Sequence, residues 1–285
     1  MITSIENKQL KNIKALLDRS SARKKQGLFV AEGVRMFEET PDELIDRIYV
    51  SESFVAKNQA IFDAKVKDHL YEVVEDGIFK KLSDTNTPQG VLVTVRMPQY
   101  EEDRLLFSSL TENSSKDCPA DKDVKDHPTE AGRKITGDYL VLNKIQDPGN
   151  LGTMIRTAEA AGIRAVIMDE GCADIFNPKV IRSTMGSIYR VPFLITKDLL
   201  GLMTKMKGQG VSFIAGELNG SDFFEAKRPD GPVGILIGNE GNGLDKEVIE
   251  ASDIRLRIPM EGEVSSLNAA VSAALFMFFM KYLFE

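Results

Sequence analysis

Three short segments in the second half of this 285-residue chain carry polar residues of the types that bind small ligands. They are residues 143–162 (NKIQDPGNLGTMIRTAEAAG), 235–244 (ILIGNEGNGL) and 258–274 (IPMEGEVSSLNAAVSAA). Each places Gly, Asn or Ser at the end of an apolar, strand-like run, and the first and third then lead into a helix. Because α/β proteins bind ligands at the carboxyl ends of their strands, these segments predict one site built from three loops.

The first segment offers Asn150 and Arg156 as candidate site residues. Residues 147–149 (DPG) predict a turn, after which Asn150 either caps a helix that begins at Leu151 or presents its amide to a ligand. Arg156 lies six residues later, near the apolar stripe of that helix. An arginine there either runs along the apolar surface to a solvated or ion-paired head group, or serves the site. The sequence leaves both alternatives open.

The second segment is an apolar strand that ends in a glycine-rich loop with Glu240 at its centre. Gly238, Gly241 and Gly243 permit positive φ and close backbone approach, so the loop can wrap a ligand with its amides and carbonyls. An ordinary strand-to-helix turn is the alternative. The glycine spacing does not fit GxGxxG, which disfavours a dinucleotide fingerprint.

The third segment places polar residues before an apolar helix. A strand ends at residues 258–260, Gly262 breaks the chain, and Ser265, Ser266 and Asn268 follow. These side chains either cap the helix or enter the site, and for Ser265 capping is the favoured interpretation.

The elements that position these segments indicate an α/β fold. From residue 138, the strand-like runs YLVLN, AVIMD, VPFLI, SFIAG, VGILIG and IRLRI alternate with helices, the first from about Leu151 and the last from about Ser266. Strands that alternate with helices predict a mostly parallel sheet covered on both faces.

The first part of the chain predicts a separate, smaller domain. Residues 1–98 combine a helical spacing of apolar residues around Leu16 with four strand-like runs, which predicts a small α/β unit. Residues 99–137 are rich in charge and lack apolar periodicity, which predicts a linker or mobile insertion. Four of its apolar residues are expected to dock locally: Leu105, Leu106, Phe107 and Leu110. Residues 138–285 form the second predicted domain.

Composition restricts the class of protein. The formal net charge is −7, and Cys118 and Cys172 are the two cysteines, so neither a disulfide framework nor a cysteine-rich metal site is predicted. The apolar stretch at 269–280 has about 12 residues where a membrane span needs about 20, which predicts a buried or interface helix. The opening MITSIENKQLKNIK lacks the apolar core of a signal peptide, which predicts a cytoplasmic protein.

Positive charge is concentrated near the amino terminus of this acidic chain. Residues 1–35 contain eight basic residues against three acidic ones, which predicts either a phosphate-binding patch or a solvated helix face. The candidate nucleic-acid contacts are Lys8, Lys11, Arg23, Lys24, Lys25 and Arg35.

In this order the three segments resemble the motifs of the SpoU/TrmH-type RNA 2'-O-ribose methyltransferases of the SPOUT superfamily. NLGTMIR is similar to the motif in which an Asn and an Arg six residues later enter the active site. GNEGNGL is similar to the motif that carries a Glu, and SSLNAAVSAA to the motif in which a Ser and an Asn flank Leu. The amino-terminal NKQLKNIKALLDRSSARKKQGLFVAEGVRMFEE and the later TPQGVLVTV resemble the small L30e-like, ribosomal-protein-like domain that binds the RNA substrate.

This resemblance implies a fold, a cofactor and an assembly. The catalytic domain would contain a deep trefoil knot, an exception to the rule that chains do not thread, and would bind S-adenosylmethionine without a metal. Homodimers would form through the catalytic domain, with the apolar closing helix as interface candidate. The cofactor contacts that it implies are Gly238, Asn239, Gly241, Ile258, Met260, Ser266 and Leu267.

The implied reaction transfers a methyl group from a sulfonium to a ribose 2'-hydroxyl, and the implied catalytic residues are Asn150, Arg156, Glu240, Ser266 and Asn268. Arg156 would either accept the hydroxyl proton or, as a permanent cation, bind the neighbouring phosphate and stabilise the developing alkoxide. Ser266 would bond cofactor or substrate, and Glu240 would hold Arg156 or a loop. Asn150 and Asn268 would orient the nucleotide or Arg156.

Three functions stay in competition at this point. The amino-terminal domain favours methylation of rRNA, since similar domains grip folded RNA. The same reaction on tRNA is the first alternative, and a non-catalytic RNA-binding factor in ribosome assembly is the second. The intact motif residues count against the non-catalytic alternative.

Overall fold

A computed structural model describes residues 1–107 and 137–282 of the chain. These residues divide into two compact units. The first comprises Met1–Gln99 and Asp174–Tyr189, and the second comprises the remaining described residues. Most of the predicted linker, residues 108–136, lies outside the described residues.

The helices and strands follow one another in both units. The helices are α1 (Lys8–Asp18), α2 (Ser20–Gln26), α3 (Val34–Glu39), α4 (Glu52–Lys57), α5 (Gln59–Val66), α6 (Asp76–Leu82), α7 (Glu102–Phe107), α8 (Pro148–Ala161), α9 (Pro178–Thr184), α10 (Leu199–Lys207), α11 (Lys246–Glu250) and α12 (Ala269–Tyr282). The strands are β1 (Leu28–Glu32), β2 (Ile45–Ser51), β3 (Tyr71–Val74), β4 (Val91–Arg96), β5 (Tyr139–Asn143), β6 (Ala165–Asp169), β7 (Phe193–Thr196), β8 (Ser212–Asp222), β9 (Val233–Gly238) and β10 (Ile254–Arg257).

The first unit is built on a four-stranded sheet of order β1-β4-β2-β3. Strand β4 pairs antiparallel with β1 and β2, whereas β3 pairs parallel with β2. Helix α1 buries Leu10, Ile13, Leu16 and Leu17 at the spacing of one helical face. That face packs into the core of the unit, which confirms the predicted amino-terminal helix.

The segment Asp174–Tyr189, which contains α9, belongs to the first unit. Its Phe176 ring lies 4.9 Å from the ring of Phe29, and the Tyr189 hydroxyl lies 2.9 Å from the Thr40 hydroxyl. The chain therefore leaves the second unit after β6 and completes the core of the first unit before β7.

The second unit contains six parallel strands in the order β10-β8-β9-β5-β6-β7. Strands β5 and β9 are buried along their whole length, as expected for central strands with helices on both faces. The predicted α/β fold with a mostly parallel sheet is confirmed. The trefoil knot stays a prediction.

Helices α7 and α12 of the second unit both bury apolar side chains. In α7, Leu106 is buried in the core and its carbonyl accepts a hydrogen bond from the Tyr139 hydroxyl (2.8 Å), which confirms the predicted docking for this residue. Leu110 lies outside the described residues. Helix α12 packs against α8 and β9. Within the described residues, no helix combines the length and apolarity needed to cross a membrane.

Candidate active site

The first two motif loops are adjacent because their strands are neighbours. Strands β5 and β9 run parallel, and their last residues, Asn143 and Gly238, face each other across the ladder. Both loops therefore leave the same edge of the sheet, which is where parallel sheets place their ligands.

Helix α8 begins earlier than the sequence predicts, and this places Asn150 inside the helix. The Asp147 side chain is the cap, because its Oδ1 accepts a hydrogen bond from the backbone N–H of Asn150 (2.8 Å). Pro148 occupies the first turn, where its missing N–H costs nothing. The interpretation of Asn150 as the cap is therefore wrong, and its carboxamide is free to bond elsewhere.

Glu240 joins the second loop to the start of α8. Its Oε1 accepts hydrogen bonds from Asn150 Nδ2 and from the backbone N–H of Asp147, both at 3.0 Å. Its Oε2 accepts one from the backbone N–H of Gln146, also at 3.0 Å. The carboxylate therefore holds a loop, and it has no contact with Arg156 among the described residues.

These hydrogen bonds also set the charge of Glu240. Its partial burial works to raise the pKa, but the bonds from the Asn150 side chain and from the N–H groups of Gln146 and Asp147 outweigh burial. The pKa consequently falls below its usual 4.5, because all three donors stabilise the ionised form.

Asn268 connects the third loop to the other two. Its Oδ1 accepts hydrogen bonds from the N–H groups of Ala270 (2.9 Å) and Val271 (3.3 Å), so Asn268 caps α12. Its Nδ2 donates to Asn150 Oδ1 at 3.0 Å. The favoured interpretation of Ser265 as the cap is therefore wrong. A chain of hydrogen bonds from Asn268 through Asn150 to Glu240 joins all three motifs.

Two of the three glycines of the second loop, Gly238 and Gly243, are required, each for a different reason. A Cβ on Gly238 would lie 2.2 Å from the backbone of Gly243 and Leu244, so no side chain fits there. Gly243 has φ +70°, which favours glycine. Gly241 has neither constraint, because its φ is not positive and a Cβ would meet only Asn239 Oδ1 at 3.6 Å.

Asn143, a buried residue that was not predicted as a site residue, links the end of β5 to the ends of two other loops. Asn143 is 2% exposed, and its Nδ2 donates to Asp169 Oδ2 (2.6 Å) and Asp245 Oδ2 (3.1 Å). Its Oδ1 accepts from the N–H of Asp245 (2.8 Å). Lys144 follows with φ +59° and donates from Nζ to Asp245 Oδ1 at 2.8 Å. The polar residue that ends the apolar run YLVLN was the available signal.

A cavity of about 260 Å³ lies beside these loops. It is lined by all seven residues predicted to contact the cofactor: Gly238, Asn239, Gly241, Ile258, Met260, Ser266 and Leu267. Of the predicted catalytic residues, Glu240 and Ser266 line it, whereas Asn150 and Asn268 adjoin it through Glu240.

Several lining residues lie outside the three motif segments. Strand β8 contributes Gly216, Glu217 and Leu218, and α12 contributes Phe276. Their types are ordinary for a strand and a helix, so only the order of the strands brings them to the cavity. A Cβ on Gly216 would lie 3.1 Å from the Phe276 ring, which explains the close approach of β8 to α12.

Arg156 is exposed on α8 and does not line the cavity. Among the described residues it has no hydrogen-bond or ion-pair partner. The expectations that Glu240 holds Arg156, and that Arg156 snorkels into an ion pair, are not met in this single chain.

No group of three or more His, Cys, Asp or Glu side chains is placed to hold a metal ion within the two described ranges. Burial raises the pKa of Cys172 to about 12, with the Asp169 carboxylate adding to the effect, so this cysteine remains a thiol.

The candidate RNA contacts of the first unit divide into exposed and buried side chains. Lys8, Lys24 and Lys25 are exposed and have no ion-pair partner in the described part of the chain. Lys11 pairs with Glu6, and Arg35 Nη2 lies 3.9 Å from Glu39 Oε1; both basic residues are exposed.

Arg23 is the exception, and the prediction that it contacts RNA is wrong. It is 3% exposed, and its Nε and Nη2 donate to Asp174 Oδ2 at 3.0 and 2.5 Å. Its Nη1 donates to the carbonyls of Leu16 (2.6 Å) and Leu17 (3.0 Å). The guanidinium thus makes buried hydrogen bonds within the first unit and cannot reach a phosphate.

Comparisons with known proteins find relatives over nearly the whole chain. Residues 138–278 match the family model described as SpoU rRNA Methylase family, and residues 7–93 match the MRM3-like substrate binding domain. The chain is 32% identical over 282 residues to the 23S rRNA (guanosine(2553)-2'-O)-methyltransferase RlmP of Bacillus subtilis, covering 98% of each chain. It is 27% identical to an uncharacterized tRNA/rRNA methyltransferase of Synechocystis, covering 97% of this chain and 92% of that one.

Solved structures give the same result for the fold. The AdoMet-bound rRNA methyltransferase from Sinorhizobium meliloti superposes with a TM-score of 0.73 at 27% identity, over 98% of this chain and 96% of that chain. The SpoU methyltransferase AviRb from Streptomyces viridochromogenes superposes with a TM-score of 0.78 at 22% identity, over 98% of both chains.

Proposed function

We propose that this chain, which belongs to the SpoU rRNA methylase family, transfers a methyl group from S-adenosylmethionine to a ribose 2'-hydroxyl of ribosomal RNA. One observation carries the proposal: three loops joined by the hydrogen bonds of Asn268, Asn150 and Glu240 border a cavity lined by all the predicted cofactor contacts. A similar protein over nearly the whole chain length is named for this reaction on 23S rRNA.

The cavity suits S-adenosylmethionine by the charged and apolar residues that line it. The cofactor carries a sulfonium, an ammonium and a carboxylate, and the cavity lining contains two carboxylates, Glu217 and Glu240, and one guanidinium, Arg257. Ile258, Leu267 and other apolar lining residues suit the adenosine part. The N–H groups of Asn239, Gly241, Asn242 and Gly243 already donate hydrogen bonds within the loop, so the loop would bond the cofactor through carbonyl groups.

In the proposed mechanism the residues of the chain position groups rather than exchange protons. As the bond from the 2'-oxygen to the methyl carbon forms and the C–S bond breaks, the thioether would leave neutral and the hydroxyl proton would pass to solvent. Bound S-adenosylmethionine would supply a methyl group on a positively charged sulfonium. Glu240 holds the start of α8 through the N–H groups of Gln146 and Asp147, and it orients Asn150 together with Asn268. Such a fixed frame favours in-line attack because the reacting atoms need no further ordering.

We assign Arg156 an electrostatic role at the phosphate beside the target ribose. A guanidinium stays charged in proteins and offers paired donors to a phosphate, which lysine does not. Its exposure and lack of a partner among the described residues leave those donors available. If Arg156→Lys keeps most of the transfer rate with cofactor binding intact, this role is wrong.

We propose that the protein forms a homodimer through the catalytic domain, with α12 in the interface. Val271, Leu275, Phe278 and Tyr282 are between 38% and 48% exposed and follow one another at helical spacing. An exposed apolar stripe of this kind is typical of an interface. Leu275→Glu should shift the molecular mass measured by light scattering toward a monomer, whereas Leu200→Glu, on exposed apolar surface of α10, should not.

The basic residues Lys8, Lys11, Lys24, Lys25 and Arg35 are proposed as RNA contacts. Charge reversal at Lys24 and Lys25 should weaken RNA binding more at low salt than at high salt. The variant would contact fewer phosphates than wild type and so release fewer counterions on binding. S-adenosylmethionine affinity should stay unchanged. Equal RNA binding by this variant would contradict the assignment.

The test of the function is methyl transfer to unmodified RNA. Purified protein, labelled S-adenosylmethionine and either rRNA or tRNA are incubated in parallel, and nucleosides are analysed by mass spectrometry. We expect a 2'-O-methylated nucleoside from rRNA that is absent with Arg156→Ala. Transfer to tRNA alone would show that the substrate is tRNA and not rRNA. No transfer to either free RNA or ribosomal particles, despite cofactor binding, would favour a non-catalytic RNA-binding factor.

A further inference from the structure

Another concave site, separate from the cavity of the second unit, lies in the first unit. It is at the end of the four-stranded sheet where β1, β2 and β3 finish. A groove of about 590 Å³ opens there between α4, α6 and the loop that precedes β4. Its polar lining residues are Ser51, Ser53, Lys57, Asn58, Asp76, Lys80, Asn86, Thr87 and Gln89. None of these was predicted as an RNA contact. We call this site the sheet-end groove.

The walls of the sheet-end groove are held in place before any ligand binds. The N–H of Ser51 donates to the Gly90 carbonyl at 2.7 Å, and Gln89 Oε1 accepts from the N–H of Val34 at 2.8 Å. Gly90 has φ +84°, and a Cβ there would lie 2.5 Å from Ser51 Oγ. The loop therefore lies directly against the end of β2, so binding needs little further ordering.

The charge of the groove is positive on an acidic chain. Lys57 and Lys80 face one carboxylate, Asp76. Asp76 already accepts hydrogen bonds from the N–H (3.1 Å) and the hydroxyl (2.9 Å) of Ser53. Neither lysine has a hydrogen-bond or ion-pair partner in the described part of the chain, so both ammonium groups are available to an anion.

The remaining lining suits the edge of a base better than its face. Asn86 and Thr87 have no hydrogen-bond partner among the described residues, and their amide and hydroxyl groups can donate and accept. Phe54 and Phe79 lie beneath the groove and are 2% and 1% exposed, so their rings form an apolar floor and offer no open stacking face.

From these observations we infer that the sheet-end groove binds one unpaired nucleotide of the RNA substrate, with its phosphate at Lys57 and Lys80 and its base edge at Asn86 and Thr87. The inference rests on RNA being the substrate. Sequence-selective proteins recognise RNA mainly in loops and bulges, where bases are unstacked and their edges are open. A concave site of this volume admits such a nucleotide and excludes a continuous duplex.

The groove and the amino-terminal lysines make different contributions. Lys24 and Lys25 lie in α2, which is followed by β1 at Leu28. The groove lies at the other end of β1, where β1 ends at Glu32 and β4 begins at Val91. The α2 lysines would contact backbone phosphates without regard to pairing, whereas the groove would distinguish unpaired from paired RNA.

The test compares two RNAs with equal numbers of phosphates, a stem with an unpaired loop and a fully paired duplex, both bound to the full-length protein. Wild type should prefer the loop RNA by about tenfold. Lys57→Glu/Lys80→Glu should abolish this preference, and Asn86→Ala should reduce it without changing the salt dependence. Lys67→Glu, an exposed charge reversal outside the groove, should leave it intact.

Several results would overturn the inference. These are no loop preference in wild type, equal loss of loop and duplex binding in the groove variants, or full competition by inorganic phosphate, which would assign the groove to an anion alone. Thermal unfolding and S-adenosylmethionine binding of each variant show whether it is folded. Methyl transfer by wild type is read separately, so failure of the proposed enzyme activity and failure of the groove give different results.

Discussion

At the scale of single residues, Glu240 makes the hydrogen bonds that connect the second motif loop to the first. Its two oxygens accept three hydrogen bonds from the first motif, and the resulting loop position forms one wall of the cavity. Removing the charge while keeping the shape therefore tests the role of the carboxylate directly.

We predict that Glu240→Gln weakens S-adenosylmethionine binding by roughly 5- to 100-fold. The new amide would place an NH₂ group against an N–H of Gln146 or Asp147, which leaves a donor unsatisfied at a cost of about 1–3 kcal/mol. Calorimetric titration measures the change. Glu247→Gln, on exposed α11, is the matched control and should bind like wild type.

The lowered pKa of Glu240 predicts how its contribution to stability depends on pH. A carboxyl whose folded pKa lies below its unfolded value contributes fully above the unfolded value, near 4.5, and loses the contribution as pH falls through the folded pKa. The difference in unfolding free energy between wild type and Glu240→Gln should stay constant from neutral pH to about pH 5 and shrink below it. A decline that begins near neutral pH would contradict the assignment.

At the scale of elements, the site depends on contacts between the end of β5 and the glycine-rich loop that follows β9. Asn143 and Lys144 fasten the end of β5 to Asp245, on the far side of the glycine-rich loop. The loop is thus held at both of its ends, by Asp245 and by Gly238, while Glu240 reaches across to α8.

We predict that Gly238→Ala abolishes measurable S-adenosylmethionine binding, whereas Gly241→Ala retains it. The first Cβ would lie 2.2 Å from backbone atoms that cannot move without opening the turn, and the second would make an ordinary contact at 3.6 Å. Titration of both variants, with circular dichroism as a check on folding, measures the difference. Equal binding by the two would show that close approach at Gly238 is unimportant.

At the scale of the whole molecule, the two units are joined by more than one stretch of chain. The first unit takes the segment Asp174–Tyr189 from between β6 and β7, and the ion pair of Arg23 with Asp174 fixes that segment to α2. Burial works to raise the pKa of Asp174, but hydrogen bonds from Arg23 and Ser20 and the charge of Arg23 lower it overall.

We predict that Arg23→Met destabilises the protein by about 3–5 kcal/mol, since it strands a carboxylate and two carbonyls that Arg23 now satisfies. Denaturant unfolding measures the loss, and hydrogen exchange should show it in α1 and α2. Lys24→Met, at the exposed neighbouring position, should change stability by less than about 0.5 kcal/mol. Similar losses in both variants would contradict the structural role of Arg23.

Much of the fold and part of the site could be predicted because they depend on local patterns. Apolar runs that alternate with helices suffice to predict a parallel sheet, and glycine, Asn and Glu at strand ends suffice to predict a loop site. The role of Asn150 stayed open in the sequence because Asn150 and Asp147 are both good capping residues, and only the observed start of α8 at Pro148 selects Asp147 as the cap.

The sequence by itself determined the α/β class, the three motif loops and the glycine-rich wall of the cavity, since each follows from residues that are near one another in the chain. The tertiary structure decided which partners those residues have. Asn150 bonds to Glu240 and Asn268, 90 and 118 residues away, and Arg23 bonds to Asp174, 151 residues away. Such pairings depend on strand order and on where a returning segment packs, and spacing along the chain carries no information about either.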